Sequence, residues 1–424
     1  MQNYGTSLRL RPFVSGAAAP AGGRLALQAP PLTWTVCEME QPQTLSGKRV
    51  LIVEDDYYIA SDLASRLGTM GIDVIGPVAD VRSALREIQN AELLAGAILD
   101  INLGGEMVFP VADELERLAL PFIFATGYDP QVVPARHGDK ILLRKPLEGD
   151  ALAYGLLNAT YRESVSQKEA RENRLLSALS ADQLNTLAPL MQKVFVPRGS
   201  LMELQNQAVS RVYFPLDCIA SVIVIAPDGT RIESGLIGRE GMTGYGLAVG
   251  DPQTPYELLM QIEGYSVVMA AEDFRQAAAQ MPSLRLLASR FARALAVQVS
   301  YTALANGKFE LRQRLARWLL MVHDRVRGFS FNLTHEYLAT MLGVRRSSVT
   351  DALHILEGDG MIRSTRNQIV IRDRNKLAVL AGPAYGVPEA EYWRLMALPL
   401  HGETAETSSI PSISAKLLGG VHTN

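Results

Sequence analysis

Five short apolar runs recur between Lys48 and Lys145, and helical patterns lie between most of them. The runs are Val50–Val53, Val74–Ile75, Ala97–Leu99, Phe122–Phe124 and Ile141–Leu143. A short continuous apolar run is the mark of a strand buried on both faces. Helical patterns follow near Tyr57–Met70, Val81–Asn90, Val111–Leu118 and Gly149–Ala159. This alternation predicts a parallel sheet covered by helices, ending near residue 160.

The strand ends carry the chemistry. Glu54-Asp55 follow the first run, Asp100 the third, Thr126 the fourth and Lys145-Pro146 the fifth. In an open parallel sheet, ligand chemistry collects at the carboxyl ends of the strands, so folding gathers these groups. Two or three carboxylates with few cations suit a hard divalent ion such as Mg2+. Beside such an ion Asp100 can attack phosphorus as a nucleophile and form an acyl phosphate. Lys145 and the Thr126 hydroxyl are suitable donors to the phosphoryl oxygens. Alone, each piece reads as a loop or a turn. Together, in this order, they resemble the receiver domain of bacterial two-component response regulators over residues 47–160. The resemblance implies a (βα)5 doubly wound fold, with Glu54 and Asp55 as the acidic metal pair and Asp100 as phosphoacceptor. It makes the backbone carbonyl of Asn102 a metal ligand, Thr126 the switch hydroxyl and Lys145 the family's lysine. The string Phe124-Ala125-Thr126-Gly127-Tyr128 looks like a receiver subgroup with that motif. Leu142 stands where many receivers carry a switching aromatic, which argues against an aromatic-flip coupling.

Residues 161–175 alternate in charge and read as a solvated helical linker. Over residues 176–282 the texture changes to short Val-, Ile-, Tyr- and Phe-rich segments punctuated by Gly, Pro and Asp, which predicts a β-sandwich or barrel. Residues 283–307 are helical, with Leu284, Leu287, Phe291, Leu295 and Val299 on one stripe. That stripe packs either on its own domain or on its copy in a dimer.

The chain as a whole has a net charge of −3, but residues 308–376 hold 13 Lys and Arg against 7 Asp and Glu. A local excess of this sign is what affinity for a phosphate backbone requires. Thr334 is an N-cap candidate before His335–Leu342, Gly343 can make the turn, and a second helix runs from about Arg345 to Glu357. Arg345, Arg346, Ser347, Ser348 and Thr350 cluster at its start, where a recognition helix meets base edges. Met361-Ile362 and Ile369–Ile371 read as a β-wing, with Arg363 and Arg366 near the DNA backbone.

Residues 175–380 resemble the Crp/Fnr-type regulators throughout. The strings Tyr213–Leu216 and Ile237–Met242 look like that family's β-roll, and Glu336–Ala339 through Gly343–Val349 like its DNA-binding signature. The resemblance implies a cyclic-nucleotide-binding-like β-roll at 176–282, a dimerisation helix at 283–307 and a winged helix-turn-helix at 308–380. Residues 381–424 are a C-terminal extension whose distal part is expected to be flexible, as is the Ala-, Gly- and Pro-rich tail at 1–46. Arg346 falls where the family places a base-reading arginine, while Ser347 and Asp351 replace a family glutamate and arginine. The segment Gly250–Tyr256 lacks the arginine that partners a cyclic phosphate, which argues against cyclic AMP. Cys218 is read as a core residue rather than a sensor thiol.

The architecture expected is therefore multidomain, α/β followed by α+β. Two cysteines exclude a disulfide framework, and no run reaches the length of a membrane span, so a cytoplasmic protein is expected. No nucleophile–base triad or phosphate-cradling glycine loop points to a metabolic enzyme. The leading reading is a DNA-binding regulator controlled by phosphoryl transfer to Asp100 from a histidine kinase or phosphotransfer protein. As a homodimer it would read a pseudo-palindromic operator and act with RNA polymerase. The alternatives are a small-molecule-gated DNA binder sensing through the β-roll, and a phosphate sink.

Overall fold

The computed structural model describes residues 45–398, apart from 92, 128–132, 146–150, 161–162 and 366–367. The expected N-terminal tail, save its last two residues, and the distal C-terminal part lie outside the described residues. In the first domain β1 (Arg49–Val53), α1 (Tyr57–Thr69), β2 (Asp73–Val78), α2 (Val81–Asn90), β3 (Leu94–Asp100), α3 (Phe109–Arg117), β4 (Phe122–Thr126), β5 (Ile141–Arg144) and α4 (Ala151–Thr160) follow in turn. The five strands are parallel, in the order β2-β1-β3-β4-β5. Alternate residues of each strand point to opposite faces, which is why both faces need cover. Leu51, Val53, Leu99 and Phe124 pack with α2 and α3, whereas Val50, Ile52, Ile98 and Ile123 pack with α1 and α4. Aspartates start the helices: Asp56 accepts the Tyr58 and Ile59 amides at 2.9 and 3.1 Å, and Asp80 accepts the Ser83 amide at 2.8 Å.

Among the described residues the (βα)5 pattern that the resemblance implies is not fully met. Between β4 and β5 the described residues hold only a single 3-10 turn, Ala135–His137. The sheet face beside β5 is covered from elsewhere in the chain, as follows.

The second domain contains β6 (Met191–Val196), β7 (Ser200–Glu203), β8 (Arg211–Pro215), β9 (Ile219–Ile225), β10 (Arg231–Ile237), β11 (Glu257–Ile262) and β12 (Gly264–Ala270). Six of these fall on the Val-, Ile-, Tyr- and Phe-rich segments of the sequence, Val194–Val196, Val212–Phe214, Ala220–Ile225, Arg231–Ile237, Tyr256–Ile262 and Ser266–Ala270; β7 is additional to them. It pairs antiparallel with β5, Ser200 opposite Leu143 and Leu201 opposite Leu142. The two domains thus share one nine-stranded sheet, β10-β9-β11-β7-β5-β4-β3-β1-β2. A second sheet, β8-β12-β6, carries Glu163–Ser164 at its edge.

That edge pair corrects the expected helical linker. Residues 163–177 form a strand fragment and two one-turn helices, Gln167–Ala170 and Arg174–Ser177. Buried Asn173 breaks the helix: it caps the Leu175 and Leu176 amides, and its amide nitrogen donates to the carbonyls of Pro215 and Gly241.

Helix α5 (Ala271–Gln280) leads into the long α6 (Pro282–Lys308). The stripe Leu284, Leu287, Phe291 and Leu295 is buried in the β-roll's own core, and Val299 is half-buried. The stripe therefore packs within the chain and is not available as a pairing seam. A Cβ on Gly241 would overlap the Phe291 ring. Gly241→Ala should destabilise the chain by about 1–3 kcal/mol through overpacking, read as a lower urea midpoint.

The third domain comprises α7 (Leu311–His323), β13 (Ser330–Asn332), α8 (His335–Leu342), α9 (Arg346–Gly358), β14 (Ile362–Thr365), β15 (Gln368–Ile371) and α10 (Arg374–Ala381). The C-terminal extension is helical at α11 (Val387–Met396), whose Tyr392 and Leu395 join the core against α6. Helix α8 supplies the missing cover: Met341 is buried with Leu142, Leu201, Ile223 and Leu259 on the face of the shared sheet.

Candidate functional site

The ends of β1 and β3 bring Glu54, Asp55 and Asp100 together, with one oxygen of each within 4.8 Å of the others. Glu54 and Asp100 are buried and Asp55 is exposed. Lys145, just after β5, donates to Asp100 Oδ2 at 2.8 Å and to Glu54 Oε2. Its backbone amide donates to the Thr126 carbonyl at 2.8 Å, which sets the lysine beside the buried Thr126. Asn102 sits in a small hairpin, its side-chain oxygen accepting the Gly105 amide at 2.7 Å. The structure thus gathers Glu54, Asp55, Asp100 and Lys145 into one cluster, with the backbone of Thr126 hydrogen-bonded to that of Lys145.

Lys145 compensates only one of the three carboxylates. Burial, offset by Lys145 and reinforced by the charge of Asp100, pushes the Glu54 carboxyl up to about 7. Asp100 Oδ1 is buried without a hydrogen-bond partner. An orphaned carboxylate oxygen beside two further acid groups fits a hard divalent cation.

In the third domain Thr334 caps α8, accepting the Tyr337 amide at 3.3 Å, and Gly343 ends it at φ +61°, a conformation that favours glycine. Arg345 is the N-cap of α9, and Arg345, Arg346 and Ser347 are exposed at its start. Ser348 and Thr350 are half-buried, and the Thr350 hydroxyl lies 2.9 Å from His335 Nδ1. Arg363 is exposed on β14; Arg366 lies outside the described residues. The basic excess is smaller at the surface than in the sequence, because Arg317 and Arg325 are buried and Arg325 pairs with Glu240 at 2.7 Å.

Sequence reasoning missed the groups that join the domains. Buried Glu233 on β10 accepts from Ser221 Oγ at 2.6 Å and from Trp318 Nε1 on α7 at 2.7 Å. Burial pushes its carboxyl from 4.5 up to about 7, against those two hydrogen bonds. The folded chain therefore holds this proton more tightly than the unfolded chain does. The stability that contributes is complete below the unfolded value of 4.5 and lost as pH rises through about 7. Glu233→Gln should flatten the decline of the melting temperature between about pH 5 and about pH 8; an unchanged decline would place that titration elsewhere. Buried Glu257 on β11 joins Arg144 to Arg231. No local pattern marks either glutamate, since each is a lone acid in an apolar strand. Cys218 is fully buried, its thiol donating to the Tyr265 carbonyl at 3.3 Å, and burial pushes that thiol's pKa up, as an inert core cysteine requires.

Among the described residues no helix is long and apolar enough to cross a membrane. A comparison with curated proteins finds no match. Among solved structures the chain is similar to FixK2 from Bradyrhizobium japonicum, with 18% identity, a TM-score of 0.41, and 46% of this chain and 99% of that chain covered. It is also similar to a CRP-family transcriptional regulator from Thermus thermophilus, with 21% identity, a TM-score of 0.38, and 45% and 98% covered. The family description "Crp-like helix-turn-helix domain" matches residues 313–380, the span from α7 through α10. Residues 313–380 of the chain thus form a Crp-like helix-turn-helix domain.

Proposed function

We propose that phosphoryl transfer to Asp100 controls DNA binding by the helix-turn-helix domain. The observation that carries this reading is the buried, partnerless Asp100 Oδ1 inside a carboxylate cluster held by Lys145. A carboxylate oxygen of Asp100 forms a bond to phosphorus as the donor's bond to phosphorus breaks, and the donor leaves with the electron pair. Glu54, Asp55 and Asp100 would hold a Mg2+ ion, which supplies positive charge to the phosphoryl oxygens. Lys145 and Thr126 stand at the same strand ends and supply the remaining donors. The donor is a histidine kinase or phosphotransfer protein, and the output is a homodimer on a pseudo-palindromic operator, acting with RNA polymerase. The receiver-like strand order β2-β1-β3-β4-β5 supports the reading.

The test is incubation of the full chain with acetyl phosphate and Mg2+, followed by intact mass and DNA titration. One added phosphoryl group with a changed DNA affinity is expected. Absence of labelling, or labelling that leaves affinity unchanged, overturns the proposal.

A further inference from the structure

Two domains meet at Glu257. Its side chain is 1% exposed at the start of β11. Arg144, the last residue of β5, donates to both carboxylate oxygens, at 3.0 and 2.9 Å. Arg231, the first residue of β10, donates to Oε1 of the same carboxylate. Shifting either guanidinium strains its charge-assisted hydrogen bonds to a carboxylate that the other guanidinium also holds. Movement of either arginine is therefore transmitted rather than absorbed.

Each arginine leads to a different functional site. Arg144 immediately precedes Lys145, the cation on Glu54 and Asp100, and its strand partner in β4 is Thr126. Arg231 lines an open cleft with Glu336, Gly343, Arg345 and Arg346, the turn and the start of α9. Between the two, α8 is seated on the seam of the shared sheet. Its Tyr337 ring lies 5.4 Å from the Arg198 guanidinium, and Met341 is buried against Leu142 of β5 and Leu201 of β7. The seam pairing of β5 with β7 makes the first two domains one body at this point.

We propose that Glu257 is the coupling residue between the acidic pocket and the helix-turn-helix domain. The inference rests on the phosphorylation reading above and assigns its route. A phosphoryl group on Asp100 draws the Lys145 ammonium from the carboxylates to phosphoryl oxygens. The end of β5 follows, and Arg144 carries the shift through Glu257 to Arg231 and to the seat of α8. Glu257 and Arg144 act as positioning residues and touch no reacting atom.

The test compares wild type, Glu257→Gln and Arg144→Met as full chains, each with and without acetyl phosphate and Mg2+. Asp100 labelling is read by intact mass. Affinity is read by anisotropy on a fluorescent duplex that the wild-type chain enriches from random DNA. Wild type is expected to change affinity about 10-fold on phosphorylation, within the usual range of allosteric coupling. Both variants should label as wild type does while that ratio falls below about 2-fold. If Glu257→Gln does not fold, Arg144→Met decides, since its side chain is already 25% exposed. Variants that label and keep the wild-type ratio overturn the coupling alone. A wild type that labels without any change in affinity overturns the phosphorylation reading, and the coupling with it.

Discussion

Asp100→Asn is expected to abolish labelling by acetyl phosphate and Mg2+ while the chain stays folded. The substitution keeps the shape of the side chain and removes the nucleophilic carboxylate. The position is buried at the end of β3, where Lys145 reaches Asp100 Oδ2 at 2.8 Å, and an amide oxygen can accept the same hydrogen bond. No other carboxylate of the cluster matches its setting: Glu54 is held by Lys145 and accepts the Asp56 amide, and Asp55 is exposed. Intact mass of the variant should show no added phosphoryl group under conditions that label the wild type fully. Labelling that survives would move the phosphoacceptor elsewhere. Near-UV circular dichroism checks that the fold is retained.

Arg346→Ala is expected to cost about 1–3 kcal/mol of binding to the preferred DNA sequence, or about 5- to 150-fold in affinity. The side chain is 69% exposed at the start of α9 and is paired only loosely, with Glu336 at 3.8 Å. An exposed pair of this kind contributes about 0–1 kcal/mol, so DNA readily displaces it. Titration of the specific duplex and of a random duplex separates the two roles an arginine can take. A loss confined to the specific duplex marks a base contact. An equal loss on both marks a phosphate contact.

The helix pair α8–α9 was legible because the ends of α8 are written in local chemistry and α9 carries an apolar period. Thr334 caps α8, Gly343 turns the chain after it, and Val349, Leu353 and Leu356 mark the buried face of α9 that follows. The acidic pocket was legible for a different reason. Parallel strands all point their carboxyl ends to one edge, so the residue after each apolar run is placed by topology. What stayed hidden is tertiary. Ser200–Glu203 is too short to show a period, and nothing local says that it will pair with β5. Glu257 and Glu233 read as lone acids in strands, because the arginines and the tryptophan that satisfy them lie far away in the sequence. The stripe on α6 correctly announced a buried face, but amphipathicity does not say against what. Here it is the chain's own β-roll. The linker failed because charge alternation says nothing of Asn173, whose buried amide ends one turn and caps the next.

The most direct measurement is selection of operators from random DNA, with and without acetyl phosphate and Mg2+, for the wild type and Asp100→Asn. An enriched pseudo-palindrome is expected, its affinity changing on phosphorylation in the wild type and not in the variant. An enriched palindrome bound equally well by the phosphorylated and unphosphorylated wild type would contradict it, and would place the signal's entry in the β-roll instead.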